Sequence, residues 1–276
     1  MALDQPEEFF PHEKTMGFFD HVDELRKRLV RMAAAVLIGS IAAFVFIEDI
    51  FEVVVLGPFT PGFWGYEFFC KAGRFFMGSD ALCWTPPTLV MQSQQIQGQF
   101  ISAFKMSFTL GFVAAFPVVV QQLWLFVKPA LSQKEINKTR RSLFVVSLLF
   151  FAGVFFSYFL LVPLATNFLL GYTLNEQIQN IITISSVTGF VSFMSLATGL
   201  VFELPVLIYV LARIGMINSE FLIKYWRYAA VAVFIIAGIA TPSPDMFSQL
   251  LLGLPLLGLY VVGIYVAKRV EKNRES

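Results

Sequence analysis

The sequence predicts an all-α integral membrane protein that crosses the bilayer six times and keeps both ends on one side. Three observations lead there. Of the 276 residues, 57% are hydrophobic and 14% charged, which is too apolar a balance for a water-exposed surface. The apolar residues form long continuous runs, which argues against the roughly 10-residue alternating segments of a membrane barrel strand. Lys and Arg, finally, cluster in alternate connections. A net charge of +1 supplies no bulk field that would attract nucleic acid.

The elements follow in order. The first 28 residues carry several acids and lack the apolar core and cleavage site of a secretory signal, so the first apolar run reads as a retained span. Runs long enough to cross about 30 Å of hydrocarbon, at about 1.5 Å per residue, are expected. Four of them occupy about residues 29–47, 101–127, 143–170 and 187–214. Two shorter runs, about 228–241 and 247–267, are separated by the turn "TPSPD" and read as a helical hairpin. Its first arm spans only about 21 Å, so it sits where the bilayer is thinned or leans on longer neighbours.

Charge sets the orientation. Five Lys and Arg lie in the segment through Arg31, five in 128–141, three in 213–227 and four after Ala267, seventeen of the twenty. Lys71, Arg74 and Lys105 make up the rest, and the 171–186 connection has none. Such an excess places both ends and the two basic connections in the cytoplasm. The chain is therefore one polytopic domain over 1–276, with a cytoplasmic amino-terminal segment at 1–28, a long extracytoplasmic loop at 48–100 and a cytoplasmic tail at 268–276.

The long loop holds both cysteines, Cys70 and Cys83. On an oxidising face they could form a disulfide contributing about 3 kcal/mol of local stability. Two unpaired thiols under aromatic cover is the alternative.

Several chemistries are missing. The two histidines, His12 and His21, lie in the amino-terminal segment. No Cys/His set has metal spacing, no Gly-rich loop ends in Gly-Lys-Ser/Thr, and no nucleophile has a base at membrane depth. No metal or cofactor is expected, and neither an ATP-driven machine nor an intramembrane enzyme fits. Work done here draws on a partner or an ion gradient.

Some residues stand out against the apolar background. Glu203, in "LVFELPVLI", lies about two-thirds along the fourth span. An ionisable group at that depth is costly, least so as the neutral acid, and marks a functional position by default. Pro205 frees a backbone carbonyl beside it and favours a kink. The site is either a polar, protonatable point on an inward face or a packed acid bonded to a neighbouring helix. Lys105, within a turn of the outward end of the second span, can snorkel to the headgroups. Gln121, Gln122, Trp124, Phe126 and Pro129 close the inward end of that span, where aromatics form the usual interfacial belt. Asp245 is placed to cap the sixth helix, with Gln249 one turn on facing the same side. In "FFDHVDELRKRLV", Asp20 suits an N-cap, Asp23 and Glu24 sit in the favourable first turn, and Glu24 can pair with Arg28 for a few tenths of a kcal/mol.

Four stretches together resemble the TatC family of twin-arginine protein translocation: "HVDELRKRL" before the first span, "FPVVVQQLWLFVKPALSQKE" closing the second, "FELPV" in the fourth and "TPSPDMFSQ" between the last two. The resemblance covers roughly residues 18–267. It implies a cupped, glove-like bundle in the bacterial inner membrane, with short fifth and sixth spans forming a thin wall where small single-span subunits of TatA/TatB type dock. It implies a non-enzymatic receptor, working in an oligomeric complex, that binds paired-arginine signal peptides of folded cargo for export driven by the proton gradient. Carried over, Glu24 and Glu135 are the signal-binding acids, with Arg26, Phe126 and Pro129 as supports. Glu203 matches the family's intramembrane glutamate, and Pro58, Asp245 and Gln249 fall in outward-side segments associated with assembly. Two carboxylates from separate segments can each take a guanidinium through two-pronged hydrogen bonds, which lysine reproduces poorly. Here the basic pair after Glu135 is delayed to Arg140 and Arg141, the first outward loop is long, and the turn carries an extra "SP" before Asp245. The rival reading is a proton-coupled secondary transporter of a small solute acting through Glu203. It predicts a repeated half, which the sequence does not show, and leaves Glu24 and Glu135 without a task.

Overall fold

The structure, a computed structural model, describes residues 18–60, 62–80, 83, 85–86, 90–127, 139–172, 175, 177, 181–240 and 246–275. Among these residues five helical stretches are long and apolar enough to cross a membrane: His21–Val45, Gly98–Phe126, Leu143–Gly171, Ile184–Arg213 and Leu252–Lys272. A sixth, Trp226–Ile239, is apolar but shorter. Of the last two helices only the first is short: Trp226–Ala240 has 15 residues, whereas Met246–Glu275 has 30.

Helix α1 runs Phe18–Val45 and continues into a short α2 at Ile47–Ile50. The chain is already helical at Phe18, so Asp20 lies inside the first turn of α1 and not at the N-cap position, whose residue has non-helical backbone. The first outward connection is also more ordered than a loop. A π-turn at Phe51–Leu56 and a 3-10 turn at Gly57–Phe59 lead to α3, Trp64–Met77. Gly78, at φ 61°, ends α3 and donates its N–H to the Arg74 carbonyl at 3.2 Å. A disulfide joins Cys70 in α3 to Cys83, thirteen residues on.

The second span is α4, Gly98–Val127. The third comprises α5, Thr139–Phe156, a π-turn at Ser157–Leu161, and α6, Val162–Gly171. Pro163 has no N–H for the carbonyl of Phe159, and Gly65 of α3 lies so close to that carbonyl oxygen that a Cβ would collide with it. Outside the spans, Met91–Gln92 (β1) and Ile182–Thr183 (β2) pair in parallel, Met91 opposite Ile182, which ties the entrances of two spans together.

The fourth span breaks where Pro205 predicts a kink. Helix α7, Ile184–Val201, stops, Phe202 and Glu203 form a turn, and α8 resumes at Leu204–Arg213. A short α9, Ser219–Lys224, starts from Asn218, whose side chain accepts from Phe221 N–H at 2.9 Å. The hairpin is α10, Trp226–Ala240, and α11, Met246–Glu275.

Contacts set the packing. His21 meets Phe126, Arg28 meets Gln122, and Phe44 meets Phe100, so α1 and α4 run antiparallel. At their crossing a Cβ on Gly111 would fall on the Ser40 backbone. Such backbone approach replaces the hydrophobic drive that lipid does not supply between helices. Helix α4 also packs on α7 in parallel, with Ser102 near Ser185 and Met106 near Ser192. The larger core joins Val55, Met106, Leu161, Val191, Ala237 and Leu256. A second, Ile208, Ala212, Leu222, Ala267 and Val270, closes the other end of α8 and α11.

Candidate functional site

The antiparallel α1–α4 pair brings the acidic start of α1 to the end of α4. There Arg28 Nη2 donates to Glu24 Oε1 at 2.7 Å, Nε donates to the same oxygen at 3.3 Å, and Nη1 reaches Gln122 Oε1 at 3.3 Å. The pair is largely enclosed, with side-chain exposures of 15% and 20% for Arg28 and Glu24, although only one carboxylate oxygen is used. Glu24 Oε2 is buried without a hydrogen-bond partner among the described residues, as is Trp124 Nε1 on α4. His21 stacks on Phe126 at 4.5 Å between ring centroids and holds the two helix ends together.

This corner can accept a donor. Its open oxygen belongs to a carboxylate that neighbouring groups already orient, which is the arrangement a planar guanidinium exploits. Arg26 is not part of it: two residues beyond Glu24, it lies about 200° round the helix and is exposed. Glu135 and Pro129 lie outside the described residues. Gln122 and His21 were not singled out as partners in the sequence. Gln122 was readable only as an end-of-span polar group, because its contact depends on the register between two helices 94 residues apart.

Glu203 occupies the turn between α7 and α8, and both of its carboxyl oxygens are buried with no partner among the described residues. Its own carbonyl starts α8, accepting from Val206 and Leu207 N–H, each at 3.0 Å. Pro58 is fully buried in the 3-10 turn. Gln249 bonds within the chain: its Nε2 donates to the Phe234 carbonyl at 2.6 Å across the α10–α11 hairpin. Asp245 lies outside the described residues. Cys70, Cys83 and Asp80 cluster within 4.8 Å, but the disulfide occupies both sulfurs and leaves one carboxylate, too few ligands for a metal.

The family model described as Sec-independent protein translocase protein (TatC) matches residues 20–255. The chain belongs to the TatC family. It is 34% identical over 259 residues to the Sec-independent protein translocase protein TatC of Carboxydothermus hydrogenoformans, covering 94% of this chain and 96% of that one. To the Helicobacter pylori J99 protein of the same name it is 34% identical over 250 residues, 91% of this chain and 88% of that one. The solved structure titled "Crystal Structure of Twin Arginine Translocase Receptor- TatC" superposes with a TM-score of 0.69 at 30% identity, covering 91% of this chain and 99% of that chain. A second, in DDM, gives 0.70. Membership in the TatC family makes this a multi-pass inner-membrane protein of Sec-independent protein translocation, a translocase component and not an enzyme.

Proposed function

We propose that this TatC-family chain is the receptor subunit that takes paired-arginine signal peptides of folded proteins, with Glu24 and Glu135 each holding one guanidinium. The observation that carries the reading is Glu24: one oxygen is pinned by Arg28 and the other is buried with no partner among the described residues, beside the Phe126–His21 stack. Leaving a buried oxygen unpaired is costly, and an arriving guanidinium repays that cost with charge-assisted hydrogen bonds. The charge bias of the connections puts this corner, both termini and the basic connections on the cytoplasmic side, where cargo arrives. Phe126 borders the surface through its stack on His21, Pro129 serves as a further support, and Arg26, exposed on another side of α1, acts on it through the local field.

Small single-span subunits dock at the α10–α11 hairpin, whose first helix has only 15 residues, and Pro58, Asp245 and Gln249 shape the outward-side contacts of the oligomeric complex. Glu203 supplies a polar foothold inside the bundle for transport driven by the proton gradient.

The test is binding of a twin-arginine peptide to purified protein in nanodiscs. Glu24→Gln combined with Glu135→Gln is expected to abolish binding while the protein stays inserted and monodisperse. Binding that survives the double substitution overturns the receptor reading. Glu203→Ala is expected to spare peptide binding and impair transport.

A further inference from the structure

Helices α4 and α7 enter the membrane from the same side and leave a groove of about 300 Å³ between them. Their register is held by the Ser102–Ser185 contact at 3.3 Å and by Ser192 donating to Met106 Sδ at 3.5 Å. Lys105 lines the end of the groove nearer β1 and β2, seven residues from the start of α4, about 10 Å along the axis. Its side chain is exposed, and no carboxylate pairs with it among the described residues. Gly189 forms part of the wall beside it, with open space where a Cβ would stand. Phe104 flanks Lys105 at the mouth, and toward the membrane interior the lining is Phe108, Phe193 and Leu196, with the hydroxyls of Thr109 and Ser192 turned to the Lys105 carbonyl and the Met106 sulfur.

The groove therefore has a cationic mouth near the surface and an apolar channel leading inward, the polarity of a lipid molecule in its own leaflet. A lysine there can turn its ammonium back to headgroup level on its flexible stem. A whole helix fits less well. It packs at an axis separation of about 8–10 Å, and Phe108 and Phe193, two large exposed rings, stand in the lining, so a docking helix would need small residues opposite both, which a single flexible acyl chain does not.

We propose that the α4–α7 groove binds an anionic glycerophospholipid, with the phosphate on Lys105 and one acyl chain along Phe108, Phe193 and Leu196. The site is independent of the signal-peptide corner at the far end of α4. It makes the outward half of the bundle sensitive to lipid charge.

The experiment is native mass spectrometry of the full-length protein, released from detergent after equilibration with equal amounts of phosphatidylglycerol and phosphatidylcholine. The wild type is expected to retain phosphatidylglycerol about fivefold over phosphatidylcholine, the factor one lysine near the surface supplies. Lys105→Arg keeps that preference and Lys105→Gln removes it, while Lys71→Gln leaves it unchanged. Gly189→Leu, which projects into open space and leaves the fold intact by size exclusion, fills the mouth and lowers retention of both lipids. An equal retention of the two lipids by the wild type overturns the proposal, as does an unchanged preference in Lys105→Gln. Displacement of phosphatidylglycerol by an equimolar apolar helical peptide carrying one glutamate also overturns it, because the occupant is then a helix.

Discussion

Arg28 grips Glu24 through one oxygen only, with Nη2 and Nε both directed at Oε1 and Nη1 spent on Gln122 across the helix pair. The guanidinium thus fixes the carboxylate's direction without saturating it. The bridge to Gln122 is a long hydrogen bond from a charged donor in a largely enclosed pair, so the Arg28–Gln122 coupling is expected at about 1 kcal/mol. A double-mutant cycle of Arg28→Lys and Gln122→Ala, read by thermal unfolding in detergent, should show Arg28→Lys losing the Gln122 bridge and the two changes failing to add. Strict additivity would mean that the bridge does not form.

Gly111 is set against the Ser40 backbone and Gly39 against the Gly111 carbonyl oxygen, 3.0 Å from an ideal Cβ. Gly111→Ala should force α1 and α4 apart and cost at least the 1–3 kcal/mol typical of overpacking, roughly, because backbone cannot move aside as a side chain can. Gly258→Ala, where nothing stands within 4 Å, should be neutral in the same unfolding measurement.

The Cys70–Cys83 bond closes a short segment at the end of α3. Its loss should cost about 3 kcal/mol locally. Reduction is expected to expose the α3 region to limited proteolysis while the spanning helices stay protected, and a non-reducing digest should yield one peptide pair joined through both cysteines.

Tyr66 in α3 is buried against the third span, its hydroxyl directed to the Pro163 carbonyl at 3.5 Å. Burial raises its phenol above the ordinary 10.0, and the Thr166 hydrogen bond opposes this in part. The folded state holds the neutral form, so above that ordinary value the undocked state loses its proton first and docking weakens as pH rises. Full docking is expected at every lower pH. Proteolytic opening of α3 should increase in strong alkali for the wild type, and Tyr66→Phe should remove the part of that increase due to this phenol.

Both Glu203 oxygens are buried with no partner among the described residues, so the carboxyl is retained at a cost to stability. Glu203→Leu should leave the midpoint of thermal unfolding unchanged or raise it, while transport in a vesicle assay falls. A strong loss of stability would show that Glu203 holds the α7–α8 break together instead.

Hydropathy by itself determined the helical class and the positions of the spans, because about 30 Å of hydrocarbon demands a run length that no soluble helix needs. Residue identity and spacing located the break at Glu203 and Pro205, since a missing N–H acts locally, and showed the Glu24–Arg28 pairing, which lies within about one turn. Tertiary structure decided the rest. Whether Glu24 keeps a free oxygen depends on Gln122 drawing Arg28 to one side, and that depends on how close Gly39 and Gly111 let two antiparallel helices come. The order of α3 was hidden for the same reason: it packs on the third span, where Gly65 approaches the Phe159 carbonyl and the Tyr66 hydroxyl reaches the Pro163 carbonyl, partners distant in sequence whose approach no local pattern encodes. The Cys70–Cys83 link, by contrast, was one of the two readings that the cysteines already offered.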